Sequence, residues 1–293
     1  MHTCYRTLLR AWSGLRRPVR AELPLWGLLL AVSVAAGAAD VPVHGYRVVQ
    51  SWPHDPSAFT QGLVVVDGVL YESTGGYGRS TVRRVDLETG RVLQQRRLPG
   101  ALFGEGLAAW GGELVQLTWR AGRVLRYERA TFAPLRELAL RGEGWGLTHN
   151  GESWIVSDGS ATLRFLQPGT GAEQRRVSVR DGGRPVRLLN ELEMVPVVPS
   201  GERPSRGSMR DELWANIWHA DRLVRIDPDS GDVLGYVDLA GLLPQSQRPN
   251  REAVLNGIAY DGEDHRLLVT GKLWPRLYWI DVPGLLPGPD AFR

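Results

Sequence analysis

The chain has almost no cysteine and almost no lysine. Cys4 is its one thiol, and it lies in an N-terminal stretch that reads as removed on export. The mature chain then has neither thiol nor disulfide, which excludes cysteine catalysis, thiolate metal sites and a disulfide scaffold. Among 35 basic residues Lys272 is the only lysine. Lysine is a compact point charge that donates to a single oxygen, unlike the planar arginine fork. One ammonium in an arginine-dominated chain therefore marks a candidate functional position. The histidines, His2, His44, His54, His149, His219 and His265, have no metal-ligand spacing. There is no Gly-x-Ser-x-Gly elbow, phosphate loop or dinucleotide fingerprint. Gly76-Tyr77-Gly78 lacks a third glycine and suits a hairpin. Formal net charge is only +3 and the basic residues are scattered, which argues against a nucleic-acid partner.

The start is basic, with Arg6, Arg10, Arg16, Arg17 and Arg20 and no acid before Glu22. An apolar stretch from Leu23 to Ala36 follows, then the small-residue pattern Ala36-Gly37-Ala38. Together these predict an export signal over residues 1–38. The apolar run is short for a spanning helix. Arg16-Arg17 is similar to a twin-arginine pair, but it lies far from the apolar run and lacks the usual flanks. The expectation is cleavage after Ala38 and a single domain over 39–293, periplasmic or secreted, with no stable membrane association. An uncleaved anchor is the alternative.

From Val41 onward short alternating runs are broken by Gly, Asp, Asn and Pro, a strand pattern with no long amphipathic helix. One phrase recurs: a polar or aromatic lead residue, then Gly or Glu, then Leu or Ile. Its copies are Gln61-Gly62-Leu63, Glu105-Gly106-Leu107, Trp145-Gly146-Leu147, Asn190-Glu191-Leu192 and Asn256-Gly257-Ile258. The lead positions are separated by 44, 40, 45 and 66 residues. A period of about 40–45 residues is the length of one four-stranded propeller blade. Each lead opens an inner strand. A tight turn such as Asp67-Gly68, Gly111-Gly112, Asn150-Gly151 or Asp261-Gly262 follows, then a second strand and an outer hairpin. In the fourth unit the inner turn is replaced by an insert rich in Pro, Gly, Ser and Arg, from Pro196 to Asp211, read as a surface loop. A second long connection, Leu239 to Val254, precedes the fifth unit. Five units in register predict an all-β, five-bladed β-propeller. An N-terminal strand around Tyr46-Arg47-Val48-Val49 should close it beside Trp279-Ile280, leaving no exposed sheet edge.

In a propeller the inner strands start at one face and the second strands return to it. Lead residues and second-strand ends should then face one pocket. The pooled set is Gln61, Glu105, Trp145, Asn190, Asn256, Glu72, Trp119, Asp158, Trp218 and Lys272. One carboxylate base, one ammonium, several amides and three indoles compose a small-ligand pocket. Each has a plainer role too. Trp in an all-β chain is commonly core, Asn beside a strand commonly forms a turn, and Glu72 and Asp158 suit binding backbone amides between blades. Glu105, between two glycines, is the best general base, and indoles around it should raise its pKa toward neutrality.

The motifs occur in a characteristic order. They are Phe59-Thr60-Gln61-Gly62-Leu63, Glu72-Ser73-Thr74-Gly75, Phe103-Gly104-Glu105-Gly106-Leu107, Gly144-Trp145-Gly146-Leu147, Leu189-Asn190-Glu191-Leu192-Glu193, Trp214-Ala215-Asn216-Ile217-Trp218, Val254-Leu255-Asn256-Gly257-Ile258 and Thr270-Gly271-Lys272-Leu273-Trp274-Pro275. From about Phe59 to Trp279 this resembles the plant- and bacterial-type glutaminyl cyclases, the glutamine cyclotransferases. The resemblance implies a five-bladed propeller that converts the N-terminal glutamine of peptides or proteins into pyroglutamate, with release of ammonia. It carries the family's catalytic glutamate to Glu105, and its glutamine, asparagine and lysine to Gln61, Asn190 and Lys272. It carries the pocket tryptophans to Trp119, Trp145 and Trp218, with Phe59 and Phe103 nearby. It implies no cofactor and no catalytic metal, and it admits a structural calcium; the expected state is a monomer. The insert and the missing mature cysteines depart from the family without touching these positions. The alternative is a non-catalytic propeller that binds peptide N-termini or partner proteins. Such a propeller would tolerate loss of Glu105 or Lys272, and both are present. A propeller hydrolase or lactonase usually needs a metal cluster that this chain lacks.

Overall fold

The computed structural model describes residues 41–199 and 209–286. The export pattern with Cys4, and the centre of the insert, lie outside the described residues. Among the described residues the one helical piece is a 3-10 turn at Gln245–Gln247.

Each repeat folds into an antiparallel blade. Blade I is built from Thr60–Val66, Val69–Thr74, Thr81–Val85 and Val92–Arg97. Blade II uses Gly104–Trp110, Glu113–Thr118, Arg123–Glu128 and Leu138–Ala139. Blade III uses Leu147–His149, Trp154–Val156, Thr162–Leu166 and Glu173–Ser178. Blade IV uses Leu189–Val197, Arg210–Ile217, Arg222–Ile226 and Val233–Asp238. Blade V takes Leu255–Asp261, Arg266–Gly271 and Arg276–Asp281 from the end of the chain, and its outermost strand is the N-terminal Arg47–Pro53. Val48 lies opposite Ile280 and Gln50 opposite Trp279, the closure the sequence predicts. Val43–His44 adds in parallel to the outer strand of blade IV.

The inner strands neighbour one another in the order I, II, III, IV, V and back to I. Both faces of each blade are therefore covered, and side chains alternate between two cores. Leu107 and Ala109 pack toward blade I, while Ala108 between them packs toward blade III. Clusters between II and III, III and IV, IV and V, and V and I complete the ring. Double burial explains why the inner strands are almost wholly apolar rather than alternating with polar residues.

The repeated glycine has a steric cause. A Cβ on Gly106 would lie 2.5 Å from the Leu147 nitrogen. The Gly106 N–H itself donates to the Trp145 carbonyl at 2.6 Å. Adjacent inner strands meet backbone to backbone here, so no side chain fits. In blade IV the same position is Glu191, whose carboxylate accepts from the backbone N–H of Leu63 at 3.3 Å and of Ile258 at 2.8 Å. It reaches the inner strands of blades I and V.

The insert is shorter than the sequence suggests. Pro196 pairs with Asp211 and Val197 with Arg210, so both ends of the expected loop are strand. Val195 and Val197 are buried in the core between blades IV and V, and that burial prolongs the ladder.

Candidate active site

The ladder between the first two strands slips at the lead residue in four blades. The shifts fall between Thr60 and Gly62, Gly104 and Leu107, Leu189 and Leu192, and Leu255 and Ile258. A bulge leaves a residue unpaired and re-aims its side chain. Gln61, Glu105 and Asn190 thereby turn into a cavity at one end of the propeller axis. In blade III the lead Trp145 precedes its strand, and its N–H donates to the Ser157 carbonyl at 2.9 Å.

The cavity holds about 320 Å³ and is lined by Phe59, Gln61, Phe103, Glu105, Trp119, Trp145, Asn190, Trp218, Glu252 and Lys272. It brings together the nine residues that the sequence nominates. Glu252 was not anticipated. It lies on the connection from Leu239 to Val254, which has no counterpart in the other repeats, so register could not point to it.

Glu105 and Lys272 are both buried, yet neither closes an ion pair among the described residues. Burial drives the Glu105 carboxyl well above the usual carboxylate range, the nearby Lys272 ammonium opposes that rise, and the Glu143 charge adds to it. Burial lowers the Lys272 ammonium, against the opposing pull of Glu105 and Glu252. A carboxyl raised well above its usual range beside a weakened ammonium is suited to moving protons.

The walls are aromatic and interlocked. Phe59 and Phe103 meet edge to face at 6.1 Å, Phe103 and Trp119 at 5.6 Å, and Trp145 and Trp218 at 5.5 Å. The Lys272 Nζ sits 4.8 Å from the Phe59 ring centroid, a cation–π contact. Asn190 Oδ1 and Trp218 Nε1 are buried without a hydrogen-bond partner among the described residues. Unmet groups of this kind are costly, and a polar ligand in the cavity would satisfy them. Leu188, His219 and Leu273 have φ of 63°, 64° and 60° and flank Asn190, Trp218 and Lys272. Backbone strain at non-glycine residues clusters at functional sites.

Three members of the pooled set lie elsewhere. Asn256 is not at the cavity; its Nδ2 donates to the Thr60 carbonyl at 2.9 Å and to Gln61 Oε1 at 3.3 Å. Glu72 is fully engaged between blades, not by backbone amides but by side chains. Arg83 approaches its Oε2 at 2.9 and 2.7 Å, and His54 and Thr60 reach Oε1 at 3.1 and 2.7 Å. Asp158 accepts from the Ser160 N–H at 3.1 Å and faces Arg164 at 3.6 Å, a turn-capping role. Glu72 lies two residues short of its strand end, where alternation sends its side chain between blades. Among the described residues no group of three or more His, Cys, Asp or Glu gathers in a way that could hold a metal ion.

Residues 23–282 match the family model described as glutamine cyclotransferase. The chain is 40% identical over 246 residues to a glutaminyl-peptide cyclotransferase of Arabidopsis thaliana, covering 82% of this chain and 72% of the relative. Its structure is similar to the crystal structure of Myxococcus xanthus glutaminyl cyclase, with a TM-score of 0.73 and 36% identity, over 83% of this chain and 98% of the other.

Proposed function

The chain belongs to the glutamine cyclotransferase family, and from that membership we propose that its axial cavity cyclises the N-terminal glutamine of peptides and proteins to pyroglutamate, releasing ammonia. The observation that carries the reading is that the buried Glu105 and Lys272 side chains face one indole-walled cavity without closing an ion pair among the described residues.

The substrate's α-amine attacks the carbon of its own γ-carboxamide, and the new C–N bond closes a five-membered ring. Glu105 takes a proton from the attacking nitrogen. It then hands that proton to the departing amide nitrogen as the old C–N bond breaks, so ammonia leaves and Glu105 returns to its starting state. The raised pKa of its carboxyl suits this double duty, because burial makes the carboxylate a stronger base than a solvated one while leaving its acid able to return the proton. Lys272 and the amide N–H of Gln61 stabilise the oxyanion of the tetrahedral intermediate. The unmet Asn190 Oδ1 is an acceptor for the substrate's amide N–H. Trp119, Trp145 and Trp218, with Phe59 and Phe103, fold the flexible side chain over the amine and exclude water, converting binding into proximity.

The proposal extends to turnover without a metal, since proton transfer and amide donors account for every step. It extends as well to export with no stable membrane association after cleavage, on the strength of the basic, apolar and small-residue pattern over 1–38. The test is mass spectrometry of a peptide beginning with Gln, incubated with purified protein in strong chelator. The expected product is lighter by one ammonia. A peptide that binds but keeps its mass would make the protein a binding propeller instead, and activity lost in chelator but restored by metal would reject metal independence.

A further inference from the structure

Trp119 follows the second strand of blade II and Trp145 opens blade III, so two walls of the cavity come from different blades. One side chain outside the cavity lining joins them. Glu143 Oε2 accepts from Trp119 Nε1 at 2.8 Å and from Trp145 Nε1 at 3.0 Å. Its Oε1 accepts from Arg120 Nε at 2.9 Å, and the Arg120 guanidinium lies 3.9 Å over the Trp119 ring. The segment carrying Glu143 is held in turn by buried Arg164. That guanidinium donates to the carbonyl of Arg141, and to the carbonyl of Glu143 at 2.5 Å. Burial pushes the Glu143 carboxyl up, but hydrogen bonds from Trp145, Arg120 and Trp119 hold it below the usual carboxylate range. It is therefore an anion at neutral pH, and both indole N–H groups point at the same oxygen.

We propose that Glu143 is a positioning residue for the cyclisation: its carboxylate fixes the Trp119 and Trp145 indoles relative to each other and so sets the slot in which the glutamine side chain is folded over its own amine. This rests on the reading of the cavity as the cyclisation site. Two indoles from separate blades have no covalent reason to keep one spacing, and a shared acceptor supplies one. Misplacement of positioning groups by about 1 Å can cost on the order of 10² in rate. Glu143 also acts on Glu105 through space. The charged groups that bear on Glu105 are Lys272, which lowers its pKa, and Glu143, which raises it. The charge facing Glu143 itself is Arg120. Removing the negative charge at 143 should thus lower the Glu105 pKa and move the acid limb of kcat/KM to lower pH, an effect that a merely structural residue would not produce.

The test compares Glu143→Gln, which keeps an acceptor oxygen, with Glu143→Leu, which has none. On a glutaminyl dipeptide amide, Glu143→Leu should raise KM about tenfold, the scale of a buried donor left unpaired, with a smaller change in kcat. Glu143→Gln should recover most of that KM and show the shifted acid limb. An unchanged KM in Glu143→Leu, or a wild-type acid limb in Glu143→Gln, would overturn the proposal. If Glu143→Leu does not fold, Trp119→Phe removes the donating N–H together with the five-membered ring that carries it, and its own effect on the cavity wall is subtracted in a double-variant cycle. Combined with Glu143→Gln it should raise KM less than additively, since both changes break one interaction; additive increases would overturn the proposal. Glu105→Gln, run alongside, separates the two claims. Full activity in that variant rejects the proposed chemistry, whereas an inactive Glu105→Gln with an unaltered Glu143→Leu rejects only the positioning role.

Discussion

The side-chain amide of Asn256 donates to Gln61 Oε1 at 3.3 Å, across the seam between the last blade and the first. A second bond from the same nitrogen, to the Thr60 carbonyl at 2.9 Å, fixes the Asn256 amide. Gln61 thus has its acceptor occupied, and its N–H remains as the donor for the cavity. Asn256→Ala should free Gln61 to rotate and lower kcat about tenfold, below the roughly 10²–10³ that a whole oxyanion donor is worth. Gln61→Leu should cost at least as much, and the double variant should be no slower than Gln61→Leu. Steady-state kinetics on a Gln-peptide decide it: a wild-type kcat in Asn256→Ala would remove Asn256 from the mechanism.

Glu105→Gln should reduce kcat by roughly 10²–10⁴, the usual value of general acid–base assistance, with little change in fold because the shape is kept. Lys272→Met should slow turnover by about 10²–10³ by removing an oxyanion donor. If Glu105→Gln keeps near wild-type kcat, the proton carrier must be sought elsewhere in the cavity, and Glu252 is the remaining carboxylate there.

Glu72 should govern stability rather than rate. Burial alone would raise its pKa, but His54 and Arg83, together with the Thr60 hydroxyl, hold it at about 2 against the usual 4.5. Because the folded value is depressed, this stabilisation is complete above about pH 4.5 and is lost as pH falls toward about 2. The difference corresponds to roughly 3 kcal/mol. Glu72→Gln should therefore lower the urea midpoint at pH 7 and flatten its acid dependence, with kcat at saturating substrate near that of the wild type. Equal urea midpoints at pH 7 would show the network to be unimportant.

The opposite sign is expected for Glu193. This half-buried residue lines a second cavity of about 260 Å³ at the far ends of the inner strands. Burial pushes its carboxyl up to about 8, despite an N–H bond from Tyr260 at 2.9 Å. A carboxyl raised in the folded state gives stability that is complete below about pH 4.5 and is lost as pH rises through about 8. Glu193→Gln should flatten the decline in urea midpoint between pH 5 and 8. Part of the slope should remain, because burial, the larger cause, still drives Glu191 upward when the Glu193 charge is gone. A slope identical to wild type would refute the assignment.

The repeat, the blade count and the ring closure were legible in the sequence because they rest on local signals. Strand alternation, tight Gly turns and one recurring phrase operate over a few residues and are unaffected by distant parts of the chain. Seven of the cavity residues were legible for a related reason: lead residues and second-strand ends recur at equivalent points of each repeat, whereas Phe59 and Phe103 were nominated only by the family resemblance. Tertiary structure alone decided the remainder. Asn256 leads its repeat yet supports Gln61 instead of lining the cavity, because the seam between blades V and I puts a partner in its way. Glu72 lies two residues before its strand end, whereas Trp119, Trp218 and Lys272 directly follow theirs, and Arg83 and His54 claim it from between the blades. Glu252 enters from an irregular connection with no period to betray it. Glu143 acquires its role only where two indoles, 26 positions apart at 119 and 145, converge on one oxygen. Periodicity encodes which residues form a strand and which face they share, whereas a side chain's partners are set by backbones that meet only when the ring closes.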